Sequence, residues 1–158
     1  DGTALVDSFA ILDFLDDLVG RKNALIPDAG EARRDQMRIC ALAAGVADKT
    51  VSLIYERAVH GRETPDWVTR CTRQIGGALD ALETSKTDLQ SPWWFGDRLG
   101  HADIAVTCGL TLAVQALGFD LDAARWPNLV AHRETCEARP DFQDISQPFF
   151  APPPKDQA

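Results

Sequence analysis

Apolar residues along this chain recur mostly in steps of three and four, and that spacing predicts helices. The opening run Thr3, Ala4, Leu5, Val6 is the exception and reads as a short edge strand after a turn. Phe9, Ile11, Leu12, Phe14, Leu15, Leu18 and Val19 then fall at helical spacing, with Asp7 as N-cap and Gly20 as the stop. Residues 22–30 form a linker around Pro27, Asp28 and Gly30. A long helix is predicted from about residue 31 to about residue 59. Met37, Cys40, Ala41, Ala44, Ala47, Val51, Ile54 and Tyr55 make its apolar face. Gly45 interrupts that helix at a cost of up to about 1 kcal/mol relative to Ala, and is read as permitting close packing of another helix.

Thr64 and Pro65 start the next helix, as N-cap and first helical residue. Its buried stripe is Trp67, Val68, Cys71, Ile75, Ala78, Leu79 and Leu82, and it ends near Glu83. A polar loop over residues 84–92 leads to a compact aromatic turn at residues 93–99, where Trp93 and Trp94 are expected to seal the end of the bundle. After Gly100 the chain is nearly all apolar to Leu117, the pattern of a central core helix, and Gly118 closes it. Trp126 and Pro127 begin a further helix that Pro140 stops. A short turn covers residues 142–146, and Pro152, Pro153 and Pro154 begin an extended tail. The expected fold is mainly α: about five bundled helices over residues 23–150, preceded by a strand-helix piece at residues 1–22 and followed by a tail at 151–158.

Composition narrows the function. The chain has 158 residues, 45% hydrophobic and 25% charged, which suits one domain or one domain plus a fragment of another and excludes bulk disorder. A net charge of −8 argues against nucleic acid as a main partner, because phosphate binding needs clustered Lys and Arg. The longest uncharged apolar stretch, residues 104–117, is too short to span a bilayer. The start Asp1-Gly2-Thr3 shows no basic n-region and no Met, so the chain is expected to begin inside a longer product. Cys40, Cys71, Cys108 and Cys136 form no C-x-x-C pair; they read as reduced, mostly buried thiols of a cytoplasmic protein, with no metal site.

The segment from Gly100 to Ile104 carries the sharpest local signal. Asp103 lies three residues after the N-cap Gly100 and its carboxylate reaches back to the backbone N–H there, half of a capping box, with Leu99 and Ile104 at staple positions. This is a folding signal rather than a catalytic acid. His60, His101 and His132 have no nucleophile at motif spacing and read as surface or capping residues. Arg33 and Arg34 oppose the helix dipole near the start of the long helix; a solvated pair is the simplest reading, an inter-domain salt bridge or a partner anion the alternatives.

Taken in order, Asp7-Ser8-x-x-Ile11-x-x-x-Leu15, Leu25-x-Pro27, Gly96-Asp97-x-Leu99-x-x-Ala102-Asp103-Ile104, Trp126-Pro127-x-Leu129 and Arg139-Pro140-x-Phe142 resemble the glutathione S-transferase family, in particular its bacterial-type members. The match runs from residue 1 to about residue 145. Family members usually carry Ser or Thr where this chain has Gly100, so one of two reciprocal capping bonds is lost and a weaker cap is expected.

The resemblance implies a thioredoxin-like glutathione-binding domain, of which residues 1–22 are the end, followed by the all-helical C-terminal domain. The cis-proline that orients glutathione and the Tyr, Ser or Cys that stabilises its thiolate are absent from these residues, so the 158-residue chain alone is expected to be inactive. Asp7 and Ser8 match the family's acid-serine pair for the γ-glutamyl end of glutathione. The structural alternative is that Asp7 merely caps its helix. Asp48 and Lys49 are candidates for the cleft or for a cross-subunit contact with glutathione, against a plain solvated intrahelical pair. Met37, Cys40 and Ala41 are candidates for the electrophile pocket, against simple core packing. The implied function is transfer of glutathione to a small hydrophobic electrophile by a homodimer, with no metal. The alternative is a non-catalytic assembly module built on the same helical domain.

Overall fold

The computed structural model describes residues 2–87 and 91–150. Six α-helices account for most of the described residues: α1 Ser8–Val19, α2 Gly30–Ile54, α3 Pro65–Lys86, α4 His101–Leu117, α5 Pro127–Glu137 and α6 Pro140–Ile145. A π-helical turn, Tyr55–Val59, continues α2. The tail at 151–158 lies outside the described residues. Residues 3–6 do not form the expected strand, and no strand occurs among the described residues. A lone strand has no ladder to complete its backbone hydrogen bonding.

The helix boundaries follow local chemistry. Pro65, Pro127 and Pro140 each occupy the first turn of their helix, where the missing N–H costs nothing. Gly118 ends α4 in the left-handed conformation at φ 60°, and its N–H bonds back to the Val114 carbonyl. The π-turn ends with the His60 N–H on the Tyr55 carbonyl, 2.9 Å.

Core packing places α4 at the centre, against α2 on one side and α5 on the other, while α3 packs on α2 and α5. The buried stripe of α2 is Ile39, Ala43, Val46, Thr50 and Leu53, facing Val106, Leu110 and Ala113 of α4 and Cys71, Ile75, Leu79 and Leu82 of α3 within one core. This corrects the sequence expectation. Met37, Val51 and Tyr55 are exposed, and the core face lies about one residue round the helix. The reason is closeness of approach. A Cβ at Gly109 of α4 would stand 3.0 Å from the Ala43 carbonyl oxygen, so α4 crosses α2 closely at Ala43, and the face of α2 that carries Ala43, rather than that of Met37 and Tyr55, turns toward it. Gly45, by contrast, has nothing within 4 Å of where its Cβ would be, so it is not the close-packing glycine.

Polar side chains from α3 fasten the start of α5. Glu83 accepts from the Asn128 and Leu129 backbone N–H groups, 3.0 Å each, and from the Asn128 amide at 2.6 Å. A carboxylate there satisfies orphan donors and meets the positive end of the helix dipole. Asp80 accepts from Trp126 Nε1 at 2.8 Å and pairs with Arg125. The helix α3 therefore runs past Glu83 to Lys86, whose ammonium donates to the Pro92 carbonyl at 2.7 Å.

Glu56 does the same for the connection into α3. Its Oε1 accepts from the Thr64 N–H at 3.0 Å and from the Thr64 hydroxyl at 2.5 Å. The Thr64 hydroxyl bond, then Arg62, hold its carboxyl below the usual value of 4.5. A depressed folded-state pKa contributes stability that is complete above about pH 4.5 and is lost as pH falls through the folded value. Acid unfolding followed by circular dichroism should therefore show a step below pH 4.5 that shrinks in Glu56→Gln; an unchanged acid limb in that variant would contradict the assignment.

Candidate functional site

Asp7 and Ser8 sit at the exposed N-terminus of α1. Asp7 has φ 80°, the only described non-glycine residue with positive φ. With ψ at 134° it lies outside the left-handed helical region that Asp and Asn tolerate, and holding an L-residue there costs about 1–3 kcal/mol. One carboxylate oxygen accepts from the Phe9 N–H at 2.8 Å, which caps the helix. The second oxygen and the Ser8 hydroxyl have no hydrogen-bond partner among the described residues. Both expected residues are thus present side by side, at a helix end whose free N–H groups favour a carboxylate.

The other predicted candidates divide. Met37, Ala41 and Asp48 share one exposed face of α2 with Val51 and Tyr55, and Lys49 is half-buried beside it. Cys40 is a correction. It is 2% exposed within the core, and burial, then the nearby Asp103 carboxylate, push its thiol up to about 11. It is a neutral thiol packed in the core, and it lines no open surface in this structure.

A groove of about 550 Å³ opens further along α2, around the π-turn. Val51, Ser52, Tyr55 and Trp67 form its apolar and aromatic side, and Glu56, His60, Arg62 and Thr64 its polar side. Trp67, expected in the core, is 38% exposed here. The Ser52 hydroxyl donates to the Asp48 carbonyl at 2.8 Å, which places the groove one turn beyond Asp48. π-Helical turns occur disproportionately at functional positions. The sequence signal for this groove was the Thr64-Pro65 helix start, which fixes where the chain must turn back.

The capping box holds as predicted at Asp103 and is more heavily used than the sequence indicates. Asp103 is 1% exposed. Its Oδ2 accepts from the Gly100 N–H at 2.8 Å and its Oδ1 from the Trp94 N–H at 2.9 Å. His132 Nε2 lies 3.6 Å from Oδ1. Burial lowers the His132 pKa below its ordinary value of 6.5, against the opposing pull of Asp103. His132 stands edge-on to Trp94 at 4.8 Å, so Trp94 does seal the bundle end. His101 and His132 are therefore both buried, which corrects the surface reading; only His60 is exposed. His101 Nε2 instead meets the buried Asp16 at 2.8 Å.

Gly100 is explained by space rather than conformation. Its φ of −132° suits any residue. A Cβ there would fall 2.8 Å from Gln36 Nε2 and 3.0 Å from the Leu25 carbonyl oxygen. Gln36, itself buried, fills the place of a capping hydroxyl and donates to that carbonyl at 2.7 Å. Arg33 likewise departs from the solvated reading, reaching Asp13 of α1 at 2.7 Å and the Pro27 carbonyl at 3.1 Å.

With this geometry in place, the chain belongs to the glutathione S-transferase family. The sequence pattern of the family's C-terminal domain matches residues 46–140. A glutathione transferase family member from Pseudomonas fluorescens Pf-5, solved with bound S-(propanoic acid)-glutathione, is 31% identical with a TM-score of 0.80, over 93% of this chain and 73% of that one. A glutathione S-transferase from Methylobacillus flagellatus KT with GSH bound is 28% identical, TM-score 0.80, over 94% and 72% of the two chains. One from Methylobacterium radiotolerans JCM 2831, in complex with glutathione sulfonate, is 28% identical, TM-score 0.77, over 92% and 69%. No protein of curated function matches in sequence.

The packing around Gly100 inverts a simple expectation. Gly100→Ser would complete the capping box, yet it must displace Gln36 and crowd the Leu25 carbonyl. We expect it to lower stability by about 1–3 kcal/mol, the usual cost of overpacking a filled site. Thermal unfolding checks this, and a raised Tm in the variant would contradict the packing argument.

Proposed function

We propose that this chain supplies the γ-glutamyl-binding end and the helical domain of a cytoplasmic glutathione transferase. The observation that carries the reading is Asp7, held at φ 80° beside Ser8 with one carboxylate oxygen unused. Strained backbone of this kind clusters at active sites and ligand clamps. The chemistry fits the γ-glutamyl end of glutathione. The free Asp7 oxygen accepts from its ammonium, while the Ser8 hydroxyl and the first N–H groups of α1 donate to its carboxylate. Support also comes from the similar structures that carry glutathione or its derivatives.

On this reading the α2 groove, rather than Met37, Cys40 and Ala41, receives the hydrophobic electrophile. Its Val51, Tyr55 and Trp67 give the apolar wall such a substrate needs. Met37, Ala41 and Asp48 then belong to an exposed face suited to a second copy in a homodimer, with Asp48 and Lys49 near the cleft. Transfer consists of attack by the glutathione thiolate on the electrophilic carbon with loss of its leaving group. The reading assigns thiolate stabilisation to no residue of this chain.

In the full-length protein, Ser8→Ala should weaken glutathione binding by about tenfold, the worth of one hydrogen bond to a charged group. Asp7→Ala should weaken it at least as much. Titration calorimetry measures both, and unchanged affinity in the two variants would overturn the reading.

A further inference from the structure

Of the twelve residues in α1, Asp16 alone is buried, at 3% exposure. The apolar residues of this helix are instead turned outward: Phe14 is 50% exposed, Leu15 43% and Leu18 69%. Leu12 is half-buried, and no apolar residue of α1 is fully buried against the bundle. A buried carboxylate without partners would be prohibitive, so the position of Asp16 is dictated by what it meets.

It meets a closed ring of hydrogen bonds. Asp16 Oδ1 accepts from the Leu25 N–H at 2.9 Å. The Leu25 carbonyl accepts from the His101 N–H at 3.2 Å and from Gln36 Nε2 at 2.7 Å. His101 Nε2 closes the ring on Asp16 Oδ2 at 2.8 Å. A carboxylate only accepts, so Nε2 carries the hydrogen. The ring thus joins α1, the linker, α2 and the first residue of α4. His101 Nδ1 is buried with no hydrogen-bond partner, which leaves the imidazole held through this one side-chain bond. The second tether, Arg33 to Asp13, is partly exposed and contributes little by comparison.

We propose that the buried Asp16–His101 pair is the latch that fixes α1 on the helical bundle, and that it thereby positions Asp7 and Ser8 for their ligand. The second half of this statement rests on the glutathione reading above; the first does not. Asp16 lies nine residues from Asp7, about 14 Å along the helix, so neither latch residue touches the ligand position. They are positioning residues, acting through the rigidity of α1.

The test uses the full-length protein with hydrogen–deuterium exchange and glutathione titration on the same variants. Asp16→Ala and His101→Leu should each speed amide exchange in α1 by at least about tenfold while leaving α3 and α5 unchanged. They should also weaken glutathione binding by about fivefold or more, as expected when the binding-competent position is less populated. His101→Gln, whose amide places a donor where Nε2 stood, should restore both readouts to within about twofold of wild type. Arg33→Gln should change neither. If exchange in α1 stays at the wild-type rate, or if Leu and Gln at position 101 behave alike, the latch is wrong. Faster exchange with unchanged affinity would overturn the positioning role alone. Absence of glutathione binding in the wild-type protein would instead sink the glutathione reading, and the exchange data would still decide the latch.

Discussion

The buried carboxylate of Asp103 is the constraint around which the described structure is arranged. At 1% exposure it must be fully paired, and each of its pairings ties a different segment to the start of α4. The Gly100 N–H begins the helix, and the Trp94 N–H anchors the aromatic turn. His132, 3.6 Å away, brings in α5. Lys86 completes the surroundings from α3, lying over the Trp94 ring at 4.9 Å with its pKa lowered by burial. One residue early in the central helix thus fixes where α3, α5 and the turn must sit, before any apolar contact is counted.

From that fixed start of α4 the order of the linker follows. His101 is the next residue after Gly100, so its backbone N–H and imidazole are placed by the same cap. Around them Leu25, Gln36 and Asp16 assemble, and Arg98 donates to the Ala24 carbonyl at 2.6 Å. This is why glycine stands at position 100. The space a side chain would take is occupied by the glutamine that holds the linker. The departure from the family's usual Ser or Thr is a repacking, in which one capping bond is replaced by a bond to the chain joining α1 to the bundle.

Much of this was legible in the sequence, and the failures have physical causes. Capping chemistry is local, so Asp7, Pro65, Gly118, Pro127 and the Asp103 box were all readable from neighbouring residues. The long helix was found, but its core face was misplaced. Spacing in threes and fours defines a stripe but not its edge: Cys40 and Ile54 are buried as that stripe predicts, whereas the close crossing at Ala43 turns Met37 and Tyr55 outward. The sequence reads His101 and His132 as surface or capping residues because their partners are 85 positions away in one case and come from a turn and two helices in the other. No periodicity reports such pairs. The groove at Val51 and Trp67 was missed for a related reason. It depends on the π-turn, and on Glu56 fastening Thr64, neither of which leaves a pattern in hydrophobicity.

The central claim is that the start of α1 receives the γ-glutamyl end of glutathione. The most direct measurement is a crystal structure of the full-length protein grown with glutathione. The account predicts the γ-glutamyl carboxylate within hydrogen-bond distance of the Ser8 hydroxyl and the first amides of α1, and the ammonium on the Asp7 carboxylate, with Asp7 still at positive φ. Glutathione bound elsewhere, with Asp7 and Ser8 facing only solvent, would contradict it.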